Sequence, residues 1–153
     1  MAFFDFLFGK KIIIDDDFFG RMLFIQFKKK PQKNYFECKR DFKPSGRPIE
    51  VLINADVSGP TSTQKDFFRQ IENEYDNLTA KIVPMIENVF RNWKADFTIT
   101  DFRKEFQPIN LVLPRCAEKP VIWEIGFETE HDLNHEITIT MYDFEPKDIL
   151  IDG

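Results

Sequence analysis

Two cysteines and two histidines are all that 153 residues hold for thiol or imidazole chemistry. Cys38 and Cys116 stand far apart, in no CxxC and no Cys/His zinc spacing, which excludes a disulfide framework and a zinc-finger motif. They read as reduced, buried thiols of a cytoplasmic protein, because free cysteine behaves as a small core hydrophobe. Glycine is scarce at six residues, and no GxGxxG, P-loop or GxSxG occurs; no phosphate cradle or nucleophile elbow is spelled out. No apolar run approaches the roughly 18 residues of a spanning helix. A basic excess is missing too. With 21 Lys plus Arg against 26 Asp plus Glu the net charge is −5, which argues against nucleic acid as a partner.

What is present is core material. Hydrophobic residues make up 42% of the chain, and a chain of this size buries roughly 68–70% of the surface its unfolded form exposes. One domain over residues 12–153 is expected. Phenylalanine is in excess, with 18 residues against three Tyr and two Trp. Phe3, Phe4, Phe6 and Phe8 fall in the opening residues 1–11, followed by Lys10 and Lys11. This aromatic segment lacks the positive region that leads a secretory signal, and Asp5 interrupts it. It reads either as an anchor for a partner groove or membrane surface, with Phe3 and Phe4 as contact residues, or as a terminus folded back on the domain.

Periodicity predicts an α+β domain. Residues 12–30 hold three isoleucines, Asp15-Asp16-Asp17, and then an apolar run in which both alternating sets are buried types, the pattern of a single well-covered strand. Residues 35–42 alternate Phe36 and Cys38 with Glu37, Lys39 and Asp41, and Ile49, Val51, Ile53, Ala55 and Val57 recur at period two. Joined by short turns, these make a three-stranded antiparallel meander. Thr61 and Gln64 match a capping box. Beyond it Phe67, Phe68, Ile71, Tyr75, Leu78, Ile82, Ile86, Val89, Phe90 and Trp93 form one helical stripe, with Glu72, Asn73, Asp76, Lys81 and Glu87 facing water. Pro84 lies inside this long helix and predicts a kink, since the stripe continues in phase. Residues 95–107 give a mixed signal, a short strand or irregular crossing. Ile109 to Leu113 sit between Pro108 and Pro114, which suits an edge strand. Two antiparallel strands follow at 121–127 and 137–142, joined by a polar loop at 130–134, and residues 149–151 close the sheet.

Chemistry has few carriers in this pattern. Glu128, Glu130, His131, Asp132 and His135 collect in the C-terminal hairpin. The two histidines at i, i+4 would converge on a metal from a helix, but between strands the spacing guarantees nothing and the run is not HExxH. A metal-binding protein or metal-assisted hydrolase built on residues 128–135 is the alternative to a plain solvated turn. Asp15 to Asp17 are adjacent where a calcium loop needs alternate acids and a glycine, so they read as a turn. No catalytic residue or cofactor is indicated, although carboxylates assembled only by the fold would leave the same blank.

Charge is unevenly distributed. Residues 28–47 hold eight basic side chains and two acids, and residues 118–153 hold ten acids and two lysines. An acidic C-terminal surface favours encounter with a basic protein, or the asymmetry only keeps two solvated faces from sticking. On the first reading Glu128, Glu130 and Asp132 are the partner-binding residues.

Several stretches carry a resemblance: Asp17-Phe18-Phe19-Gly20-Arg21-Met22, the Gly59-Pro60 and Gln64 lead into the helix, Trp123 to Phe127, His135 to Ile139, Pro146, and Ile151-Asp152-Gly153. Together they resemble a loosely defined group of small bacterial domains of unknown function, among them immunity-type proteins of polymorphic toxin systems. The resemblance supports the meander, helix, sheet order and implies no catalytic residue. The expected function is a non-enzymatic cytoplasmic binding module, of immunity or regulatory kind, with a basic protein as partner.

Overall fold

The computed structural model describes residues 11–153; the aromatic segment with Phe3 and Phe4 lies outside them. The run over residues 12–30 is a hairpin, where the alternation predicts one strand. Strand β1 (Ile12–Asp16) turns back into β2 (Gly20–Ile25). The acidic triplet makes the turn: the Asp16 carboxylate accepts from Phe18 N at 2.9 Å and Phe19 N at 2.8 Å, a side chain standing in for a backbone turn bond. Gly20, at φ 75°, completes a reversal that an L side chain would strain. Phe19 is then buried edge-on against Phe68.

β3 (Tyr35–Phe42) and β4 (Arg47–Asn54) follow, and the meander has four strands. The chain next enters α1 (Ser62–Phe90) through the expected capping box, with Gln64 N donating to Thr61 Oγ1 at 3.2 Å and Thr61 N to Gln64 Oε1 at 3.0 Å. Gln64 does more than cap. Its Nε2, almost fully buried, donates to Asn54 O and Pro114 O, both at 2.8 Å. The helix runs through Pro84 without a break, with the proline ring on the exposed side. Its stripe from Phe67 to Phe90 is buried except for the half-buried Val89, whereas Trp93 lies past the helix end and is half exposed. Glu72 also departs from expectation: it is buried because Lys43 N donates to its Oε1 at 3.0 Å.

The mixed segment resolves into a single turn, α2 (Phe102–Glu105), which feeds β5 (Phe106–Leu113). The two prolines predict an edge for β5, yet it sits mid-sheet, parallel to β4 and antiparallel to β6 (Ile122–Thr129). Pro108 is accommodated because the register slips between Pro108 and Asn110, and Pro114 follows the strand's last residue. β7 (Asp132–Tyr142) and β8 (Glu145–Asp152) complete one eight-stranded sheet whose spatial order is the chain order. β7 starts at Asp132, so the loop predicted at 130–134 shrinks to Glu130 and His131.

One face of the sheet packs on α1. Across it the aligned row Cys38, Val51, Leu111, Ile125, Ile139 and Ile149 is apolar throughout. The opposite face mixes polar and aliphatic side chains, in the row Leu23, Glu37, Leu52, Val112, Glu124, Thr140 and Asp148. Both cysteines are free; Cys38 is buried and Cys116 half-buried, not fully buried as expected. Among the described residues no helix is long and apolar enough to cross a membrane.

Candidate functional site

Because strand order follows chain order, the charge asymmetry of the sequence becomes an asymmetry across the sheet. The basic residues lie on and around β3 and β4, and the acidic ones on β6 to β8. The acids concentrate where β6 turns into β7. A groove of about 480 Å³ there is lined by Glu105, Glu128, Glu130, Asp132 and Glu136 together with Lys104. A second groove of about 480 Å³ shares Gln107, Glu128 and Glu136 and runs over the polar face to Lys39 and Arg47.

The register explains how the acids gather. Glu128 stands opposite Gln107, and Glu136 opposite Asp152. Like charges facing each other across strands are unfavourable, by about 0.2–1 kcal/mol per pair. Among the described residues Glu128, Glu130, Glu136 and Asp152 take part in no ion pair, whereas Glu145 pairs with Lys81 and Asp56 with Arg115.

Asp132 differs from its neighbours. Its two oxygens lie 2.8 and 2.9 Å from His135 Nδ1, and Asn134 N donates to it at 3.3 Å. The hydrogen bond from His135 holds its carboxyl below the ordinary value. Asp132 is thus engaged inside the hairpin, while Glu128 and Glu130 are exposed and, among the described residues, free of such bonds.

The two histidines do not converge. His135 goes with Asp132, and His131 Nε2 lies 2.8 Å from Glu105 Oε1. Glu105 is the residue that the sequence reading misses. It is buried at the end of α2, and its Oε2 accepts from Thr100 N at 2.9 Å, Thr100 Oγ1 at 3.2 Å and Asp101 N at 2.5 Å. Burial works against its charge, yet the bonds from Asp101 N, His131 and Thr100 outweigh it and hold the carboxyl below the ordinary value. Its carbonyl accepts from Thr129 Oγ1 at 2.8 Å, which clamps α2 to the end of β6. The available signal was an acid four residues after Asp101, in reach of the amides that open α2. His131 stands edge-on to Phe97, with ring centroids 4.9 Å apart.

The Asp15 to Asp17 run serves structure: Asp16 forms the turn, and Lys65 binds Asp16 at 3.1 Å and Asp17 at 2.7 Å, tying the hairpin to α1. The thiols of Cys38 and Cys116 are pushed up to about 11 by burial, so neither is a ready thiolate. Comparison of the chain with protein-family models, curated proteins and solved structures finds no match.

Proposed function

We propose that the chain is a non-enzymatic, cytoplasmic protein-binding module, of immunity or regulatory kind, that presents the acidic end of β6–β8 to a basic protein. One observation carries the reading. Glu128, Glu130 and Glu136 line the groove without ion pairs among the described residues, and Glu136 faces the equally unpaired Asp152 across strands. An arrangement that is unfavourable in the isolated molecule becomes favourable when a partner brings lysine or arginine to it. The same field repels nucleic-acid phosphates. Free, high-pKa thiols suit a reducing compartment.

Affinity capture from the source cells tests this, comparing the wild-type chain with Glu128→Lys/Glu130→Lys/Glu136→Lys at low and high salt. Asp132 is left intact because it is bonded to His135. The wild type should retain a basic protein at low salt that is lost at high salt and never held by the variant. The same retained set for both chains would refute the assignment.

A further inference from the structure

We propose that Glu105, Glu130 and His131 form a binding site for one divalent transition-metal ion, best matched to Zn²⁺. Their donor atoms all lie within 4.8 Å of one another, although the residues come from α2 and from the β6–β7 turn. Two carboxylates and one imidazole supply three ligands of the mixed oxygen and nitrogen type that zinc accepts, leaving a fourth position for water.

The surroundings suit a ligand set. Three donors occupy Glu105 Oε2 and leave Oε1 pointing to His131, the kind of fixing that metal-bound carboxylates and histidines receive from their neighbours. Phe97 orients the His131 ring from the side, and His131 N donates to Thr129 Oγ1 at 3.2 Å. Glu130 is exposed and holds no hydrogen bond of its own among the described residues, so it can swing in without breaking anything. Zinc–ligand lengths near 2.0–2.2 Å separate tetrahedral ligand atoms by about 3.3 Å. The 2.8 Å contact between His131 and Glu105 therefore needs only a modest opening to admit the ion. With neutral histidine the site carries two negative charges, matching a divalent cation.

The test is isothermal titration of ZnCl₂ into the full chain, prepared without a histidine tag and stripped with EDTA, alongside thermal melts. One ion should bind per chain and raise the melting temperature. Glu130→Gln, which disturbs no bond in the metal-free fold, should weaken binding at least tenfold, and His135→Gln should leave it unchanged. Absence of binding up to millimolar zinc would overturn the proposal. So would an affinity that falls with His135→Gln but not with Glu130→Gln.

Discussion

At the residue scale the fold relies on a few carboxylates that take backbone amides in place of water. Asp16 is the clearest. Burial raises the cost of its charge, but Phe19 N, Phe18 N and Lys65 reverse the balance and hold its carboxyl below the ordinary value of 3.8. A folded-state value below the unfolded one means that the charged side chain stabilises the fold above that ordinary value and loses this contribution as pH falls through the folded value. Asp16→Ala should cost about 1–3 kcal/mol at pH 7, the size expected for stranding two amides at a part-buried turn. In urea denaturation the gap between wild type and variant should narrow steadily below about pH 4; a gap independent of pH would place the effect elsewhere. Glu72 and Glu105 also accept backbone amides, and periodicity pointed to neither. The Glu72 donor is Lys43 N, 29 residues away, and Glu105 adds His131, 26 residues away, to its local donors on Thr100 and Asp101; hydrophobic periodicity is silent about such pairings.

At the element scale, local chemistry was legible and pairing partners were not. The capping box at Thr61 and Gln64 is a four-residue signal and falls where the helix begins. The β1–β2 hairpin was hidden because its turn residues include Phe18 and Phe19, which look like strand. The prolines of β5 misled in a different way. Proline is excluded only where the ladder needs its N–H, and a register slip after Pro108 relaxes that need in mid-sheet. β5 also meets β6 at a close approach: Gly126 faces Asn110, whose carboxamide would lie 2.4 Å from a Cβ at that position. Gly126→Ala should therefore destabilise the protein by about 1–3 kcal/mol through overpacking. Adding Asn110→Ala should recover most of that loss, a coupling readable in a double-mutant cycle of denaturation midpoints. Purely additive losses would show that the amide does not occupy this space.

At the scale of the whole molecule, a single sheet in chain order turns a linear charge asymmetry into a spatial one. The α+β class, the long helix and the C-terminal hairpin were legible from periodicity; the parallel β4–β5 join was not, since nothing local to either strand encodes its direction. The join follows from α1, which crosses between the two strands and ties their ends through Gln64. The candidate site was legible in part: composition located Glu128, Glu130 and Asp132, but only the fold separates the engaged Asp132 from the free glutamates and adds Glu136 at the groove, with Asp152 facing it. On the proposed reading the unpaired acids serve binding at some cost in stability, a common relation at binding surfaces. The direct measurement is therefore a pair of readings on one variant, Glu128→Gln/Glu136→Gln: its urea midpoint and its capture of the basic partner. The account predicts a midpoint equal to or above that of the wild type, together with lost capture. A lowered midpoint with capture intact would contradict it.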